Sequence, residues 1–449
     1  MKTARATTKL RACTLFLLLA AVASVNAQEK TPDYSGDFLT RDTMTGDWGG
    51  YRSELAEKGI TFDLSQTQSE MGVVSGGLRS NGSFSGRFDG YLNVDTGKAG
   101  LWKGGFLLVE GEANYLAGSR VDLNTGALLP VNLNGALPSV GHFGRAAMSY
   151  VLYTQFLTHH IAVVAGKLAL TGSDPNEFAH GPGLHAKGDW QFMNIAYNFS
   201  PLTIFPAQYT PIGTGFLIIP GKDPDAFKLQ AYVFSGTGDS TVPGFDKFTH
   251  DSLSWSVEGH VRTHFFGKTG HQTAGYVASN REFTSLYQLF SLSPEPVELQ
   301  KVQGTWLVYY NFDQYLWEPE KGKGFGVFGR FGASDGNPDL IHYFYSVGVG
   351  GTGVGAKRPL DTYGIGTYYI NTSHPVVTTP EGERIFLRDE KNLEAWYSFA
   401  ITPWAFLSPD LQVVHGMAQQ NLIAHIEQGV PLRNIDTAVV LGVRLRLVF

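Results

Sequence analysis

The C-terminal stretch restricts the fold more than any other part of the chain. From Val439 to Phe449 the odd positions are all apolar (Val439, Leu441, Val443, Leu445, Leu447, Phe449), while the even ones include Gly442, Arg444 and Arg446. Alternation with period two marks a β-strand, because successive side chains leave a strand on opposite faces. One face of this strand is wholly apolar, the other holds two arginines, and the chain ends on Phe. A bilayer accommodates that combination: the apolar face meets lipid and the arginines point into a watery lumen.

The pattern recurs. Phe84, Gly86, Phe88, Gly90, Leu92 and Val94 alternate with Arg87, Asp89, Tyr91, Asn93 and Asp95; Leu107, Val109, Gly111, Ala113 and Tyr115 alternate with Glu110, Glu112 and Asn114. Leu253, Trp255, Val257 and Val261 oppose Glu258, His260 and Arg262, and Leu393, Ala395, Tyr397, Phe399 and Ile401 oppose Glu394, Trp396 and Ser398. Charges on one face of so many strands would be prohibitive in a dry core. Strands are expected near 61–74, 83–95, 104–116, 147–158, 160–169, 208–219, 226–236, 252–264, 272–282, 302–312, 324–333, 341–350, 360–371, 392–402, 410–417 and 437–449. Ile195–Phe199 would add a seventeenth, but single-chain bacterial barrels have even strand numbers, so it is assigned to a loop. The expected fold is all-β: a transmembrane antiparallel β-barrel of sixteen strands.

Composition agrees. The chain of 449 residues holds 54 glycines, 13% aromatic and 16% charged residues, against about 25% charged in average soluble proteins. A soluble chain of this length would ordinarily divide into domains, yet no linker-like stretch appears, and no run of about 20 apolar residues suggests a membrane helix.

The first 27 residues read as a signal peptide: basic Lys2, Arg5, Lys9 and Arg11, an apolar core from Leu15 to Val22, and small residues before Gln28. Cleavage there would remove four cations and no acid, taking the net charge from −6 to −10, and would take away Cys13, the one cysteine. Thiol chemistry is thereby excluded, and nucleic-acid binding, which needs a basic face, is disfavoured. Residues 28–59 form an expected periplasmic segment in which Tyr51–Lys58 reads as a short helix stopped by Gly59; the barrel occupies 60–449. A long excursion from Ala169 to Ala207 carries Asp174, Pro175, Glu177, His180, Lys187, Asp189 and Trp190. Stretches of that length without regular structure are usually functional, and this one is expected to fold inward and narrow the pore.

Gly46-Asp47-Trp48-Gly49-Gly50, followed by Arg52, Leu55 and Gly59-Ile60-Thr61-Phe62-Asp63-Leu64, resembles the N-terminal signature of the OprB-type carbohydrate-selective porins. Ser334-Asp335-Gly336-Asn337-Pro338, Ser346-Val347-Gly348-Val349-Gly350-Gly351, Leu360-Asp361-Thr362-Tyr363-Gly364-Ile365-Gly366, and Thr402-Pro403-Trp404 with Leu407-Ser408-Pro409-Asp410-Leu411-Gln412 extend the resemblance in order over nearly all of the chain after the leader. It implies a bacterial outer-membrane channel that passes monosaccharides, chiefly glucose-like sugars, by diffusion. Two stretches depart from the pattern: Ser65-Gln66-Thr67-Gln68-Ser69-Glu70 lacks an aromatic, and the loop from Asn124 to Pro138 is long and apolar.

A neutral sugar offers hydroxyls and apolar ring faces, so a selective pore needs forked donors, carboxylate acceptors and aromatics, bound weakly enough for release. The expected eyelet comprises Arg87, Asp89, Glu110, Glu112 and Arg330 from the strands with Asp174, Glu177 and Trp190 from the inward loop; Arg262, Glu258, Glu394, Arg444 and Arg446 are expected to line the lumen elsewhere. The expected partners are sugars and outer-membrane lipid. Sixteen-stranded porins commonly form homotrimers, though no interface is legible here.

Other motifs are set aside. Gly332-Ala333-Ser334-Asp335-Gly336 fits G-x-S-x-G but continues into a turn rather than a helix. Gly348-Val349-Gly350-Gly351-Thr352-Gly353 fits G-x-G-x-x-G without a following helix and reads as a tight periplasmic turn. His159-His160 and His180 with His185 lack the spacing of a metal site. No cofactor, metal or catalytic residue is expected. The competing readings are a general or ion-selective porin, an outer-membrane barrel enzyme, and a secreted β-sandwich lectin, which would expose its apolar faces to water.

Overall fold

The computed structural model describes residues 34–449 apart from 116–119, 138–145, 169–173, 181–189, 207–209, 249–251, 287–299, 354, 356, 379–383, 422–424 and 426–429; the expected leader, Lys187, Asp189 and His185 lie outside the described residues. Its strands are β1 (Ile60–Gly77), β2 (Asn81–Asp95), β3 (Gly105–Tyr115), β4 (Ala146–Phe156), β5 (Ile161–Lys167), β6 (Pro211–Ile218), β7 (Phe227–Gly238), β8 (Leu253–Thr263), β9 (Gly270–Thr284), β10 (Lys301–Glu320), β11 (Lys323–Ser334), β12 (Ile341–Thr352), β13 (Thr362–Thr372), β14 (Val376–Thr378), β15 (Arg384–Phe386), β16 (Glu390–Thr402), β17 (Ala405–His415) and β18 (Asp436–Val448). β14 and β15 pair only with each other; the other sixteen close into one barrel in which β18 pairs with β1. Closure removes the free edges of the barrel sheet, the condition for strands to span lipid. Among the described residues no helix is long and apolar enough to cross a membrane.

All sixteen expected strands are present, and the stretch at Ile195 is a short 3-10 turn, Ile195–Tyr197, buried inside the barrel. Register confirms the two faces. Leu441 and Val443 are exposed on the outside while Arg444 points inward, and Trp255, Tyr276, Trp306, Tyr310 and Tyr345 add exposed aromatics to the outer surface.

The N-terminal signature packs against the barrel beside the first and last strands. α1 (Tyr51–Glu57) follows a backbone carried through positive φ at Gly49 and Gly50, and Asp47 Oδ1 accepts from the Ser53 N–H at 2.8 Å. The Arg52 guanidinium lies over the rings of Tyr34 (4.2 Å) and Trp48 (4.8 Å) and donates to the Phe62 carbonyl at 2.9 Å. Met44 N–H bonds Val448 O (2.8 Å), Trp404 Nε1 donates to Phe38 O (2.7 Å), and Phe449 N–H bonds Leu64 O (2.8 Å). This segment therefore fastens the seam where the last strand meets the first.

The lumen is not simply water-filled. Two connections enter it, residues 120–137 with α2 (Arg120–Thr125) and α3 (Leu133–Ala136), and the described parts of the expected constriction loop, 174–180 and 190–206. They touch each other through Leu133 N–H to Met193 O (2.8 Å) and Ile195 N–H to Pro130 O (3.0 Å). Phe178, Trp190, Phe192, Tyr197, Phe199 and Leu202 from the loop pack with Leu133 and Leu137 against Phe328, Phe344, Tyr368 and Trp396 of the wall. Each such side chain withdrawn from water contributes roughly 1.5–3 kcal/mol, so the loop is seated by an apolar core of its own.

Glycine makes room for that core. A Cβ on Gly350 would stand 2.7 Å from Phe178 Cβ, and one on Gly366 would stand 2.9 Å from the Tyr197 ring. Gly348 and Gly350 thus lie within β12, against the expectation that they form a turn; of the motif's glycines, Gly353, at φ +83°, serves the connection itself. We predict that Gly350→Ala costs the seated loop about 1–3 kcal/mol by overpacking, seen as a raised and noisier single-channel conductance with the barrel intact. Unchanged conductance would show that Phe178 can shift freely.

Candidate functional site

Strand register builds the site. Arg446 of β18, Thr67 of β1, Arg87 of β2 and Asn114 of β3 stand in one cross-strand row, and Ser65, Asp89 and Glu112 form the next. Paired residues share a face, so these rows place two arginines beside two carboxylates on one stretch of lumen wall, and Glu110, opposite Tyr91 in the following row, adds a third. Arg87 Nε donates to Asp89 Oδ1 at 2.7 Å, and its Nη2 contacts both Asp89 and Glu112, the latter at 3.2 Å. Tyr91 Oη donates to Glu110, and Ser149 Oγ donates to Glu112. Carboxylate oxygens of Asp89, Glu110 and Glu112 lie within 4.8 Å of one another; the Arg87 guanidinium supplies the positive charge that such a triad requires. The four side chains of this cluster are at most 4% exposed, held in fixed rotamers by their neighbours.

The other expected residues divide by role. Arg330 of β11 is fully buried and clamps the loop: Nε donates to Asp174 Oδ2 (2.8 Å), Nη1 to Ala179 O (2.8 Å) and Tyr197 O, and Nη2 to Asp174 O (2.9 Å) and Asn198 O (3.3 Å). Asp174 Oδ2 also accepts from Ser200 N–H at 2.9 Å. Burial pushes the Asp174 carboxyl up to about 6, while Arg330 opposes the shift. Trp190 is buried at 4% exposure with its ring 5.4 Å from His180, so it packs beneath the loop instead of presenting a face to the lumen. His180 is itself buried, with Nδ1 2.6 Å from Asn198 O, and burial lowers its pKa to about 4; it is a neutral packing group. Among the described residues expected of the loop, Glu177 alone is exposed, its carboxylate accepting from Tyr315 Oη at 2.8 Å.

Further clamps come from the lumen set. Arg444 donates to Trp190 O (2.6 Å) and Gln191 O (3.2 Å), and Glu394 accepts the Met193 and Asn194 N–H groups at 2.6 and 3.0 Å. Glu258 accepts from Tyr309 and pairs with His260 at 2.6 Å, Arg262 pairs with Asp223 at a turn, and Arg446 lies over Phe406 at 5.2 Å.

Sequence reasoning missed the second insertion. Residues 120–137 are held by Asn132 Nδ2 to Ser85 Oγ (2.9 Å), Gln412 Nε2 to Val131 O (2.9 Å), Asn114 Nδ2 to Leu137 O (3.0 Å) and Leu128 N–H to Glu390. The apolar character of that loop was the available signal: an exposed loop has no use for Leu128, Leu129, Leu133 and Leu137 together.

Comparison with known proteins matches this architecture. The chain matches the family described as carbohydrate-selective porin, OprB family, over residues 79–449. It is 22% identical to Porin B of Pseudomonas aeruginosa over 457 residues, covering 90% of this chain and 91% of that protein. Its fold superposes on the high-pH structure of Pseudomonas putida OprB with a TM-score of 0.75 at 18% identity, over 92% of this chain and all of that one, and on the low-pH structure with 0.54 at 17% identity, over 91% and 99%. A closed sixteen-stranded barrel, a charged lumen row and a sequence match across most of its length together place the chain in the carbohydrate-selective porin OprB family, whose members are channels of the bacterial outer membrane.

Proposed function

We propose that this channel passes monosaccharides, glucose-like sugars foremost, by passive diffusion without turnover, and that the Arg87, Asp89, Glu110 and Glu112 cluster is its sugar-binding wall. The observation that carries the reading is the convergence of one arginine fork on two carboxylates, with a third acid alongside, in a single cross-strand patch. A fixed array of donors and acceptors suits the hydroxyls of a hexose, and its internal pairing keeps each contact weak enough for release. Glu177, exposed on the loop, supplies an acceptor from the opposing side. Asp174, Arg330 and Trp190 act one step removed, holding the loop that sets the width.

Planar-bilayer conductance with glucose titration tests this. A concentration-dependent, saturable reduction of an ohmic current is expected. Current indifferent to glucose would favour a general or ion-selective porin, and absence of any channel would sink both readings.

A further inference from the structure

The segment before β1 has features that neither the pore nor barrel closure requires. Between Phe38 and Tyr51 it exposes four large apolar side chains, Phe38, Leu39, Trp48 and Tyr51, with Leu39 at 66% and Tyr51 at 67%. Trp48 also holds φ at +51°, the left-handed region that is disfavoured for a residue with a Cβ. Gly49 and Gly50 follow it at positive φ, so the backbone is bent sharply where an indole is left open, and strain kept in a folded chain points to a use. Among the described residues neither the Trp48 indole N–H nor the Tyr51 hydroxyl bonds another protein group.

Neighbouring residues place these side chains at the rim of the outer wall. The Trp48 ring lies 6.4 Å from that of Phe62 on β1, and Phe62 pairs with Leu92 on the face of β2 that exposes Phe84 and Phe88 to lipid. Phe38 lies 4.8 Å from Trp404, in the two-residue turn between β16 and β17. Trp102, exposed in the turn after β2, donates to Tyr153 Oη at 2.6 Å, and Tyr153 pairs with outward Leu107. The open side chains thus continue the lipid-facing surface in an arc from the turn after β16 to the turn after β2. Two residues also join β10 to β11 at this end, whereas residues 120–137 and the constriction loop leave from the other. Short turns mark the periplasmic side of an outer-membrane barrel.

We propose that the segment before β1 is a membrane anchor, lying in the headgroup layer of the periplasmic leaflet with Leu39, Trp48 and Tyr51 inserted among phospholipids. In that layer an amphipathic ring meets acyl chain on one side and headgroup oxygen or water at its N–H or O–H, which matches the unbonded polar tips of Trp48 and Tyr51. Lipid is the occupant because the patch is continuous with a wall that already faces lipid; a soluble partner would have to bind across that boundary. Surrounded by water alone, the same side chains would form an uncovered apolar patch. Insertion also fixes the depth of the seam, since Met44 N–H bonds Val448 O at 2.8 Å and Arg52 donates to Phe62 O at 2.9 Å.

Nitroxide labels on the whole channel in phospholipid vesicles test this. In a Cys13→Ser background, Leu39→Cys and Tyr51→Cys are labelled one at a time, with Val443→Cys on the lipid face and Lys321→Cys in the exposed β10–β11 turn as references. Collision with oxygen, which concentrates in lipid, is compared with collision with a water-soluble nickel chelate. At both positions the oxygen-to-nickel ratio should stand several-fold above that of position 321 and below that of position 443. Adding Trp48→Ser to Tyr51→Cys should lower the ratio toward that of position 321, while heat-modifiable gel mobility and single-channel conductance stay as in the parent. Free access of nickel at both positions would show the segment in water, and protection from both reagents would show it covered by protein; either result overturns the proposal.

Discussion

Replacing Arg330 with Met should release the constriction loop while leaving the barrel closed. The guanidinium reaches one carboxylate and four backbone carbonyls, and Met keeps its bulk but donates nothing. Breaking a buried ion pair from one side costs about 3–5 kcal/mol, because the remaining charge, here Asp174, is left without compensation. That penalty falls on the loop: the strand hydrogen bonds of β11 with β10 and β12 do not involve the side chain. The expected readout is a several-fold rise in single-channel conductance with weakened glucose block, and unaltered heat-modifiable mobility. Adding Asp174→Asn should return part of the loss, since it removes the stranded charge, and the two replacements should be strongly non-additive. If the single variant conducts and blocks like the parent, the apolar packing of Phe178, Phe192 and Tyr197 suffices to seat the loop and the clamp is redundant.

That Arg330 is a clamp could not be read from the sequence. Within β11 it alternates with Phe331 and Gly329 as a lumen residue should, and its inward direction was legible for that reason. Its burial was not, because it depends on Asp174, 156 residues away in the sequence, and on where a loop without regular structure comes to rest. Trp190 illustrates the same limit: an aromatic on an inward loop has two faces to offer, and only packing decides that His180 and the wall take them. By contrast, the strands were legible nearly residue for residue, since lipid outside and water inside impose opposite chemistry on neighbouring positions. The glycines of β12 stood between these cases. Their sequence could signal either a turn or a close approach, and the answer lies in Phe178, again on the distant loop.

Register explains why the β2–β3 patch was legible while the clamps were not. Arg87, Asp89, Glu110 and Glu112 meet through adjacent strands of a hairpin, so local alternation sets both their direction and their proximity. Tyr91 and Ser149, which hold Glu110 and Glu112, were less visible: Tyr91 alternates correctly but reads as aromatic lining, and Ser149 reaches the face through the irregularity in β4 pairing between Glu110 and Gly111.

Arg87→Ala should abolish most of the sugar block. Its fork spans Asp89 and Glu112, so truncation removes the patch's main donor and leaves three carboxylates within 4.8 Å without their central cation. A hydrogen bond to a charged group contributes about 1.5–3 kcal/mol, and 1.4 kcal/mol is a factor of ten, so block should weaken by about 10- to 100-fold. The same change makes the wall more negative, and reversal potentials under a salt gradient should shift toward cation preference. Arg87→Lys should restore the sign of the charge but little of the block, because an ammonium cannot serve two carboxylates with the geometry of a planar fork. Glu110→Gln offers the complementary case: it keeps shape and an acceptor, removes a charge, and should weaken block by about tenfold at most on the same scale while moving the reversal potential the opposite way. These paired shifts separate sugar recognition from bulk electrostatics. If Arg87→Ala moves the reversal potential yet leaves glucose block intact, the patch sets the field of the pore and the sugar is recognised elsewhere along the lumen.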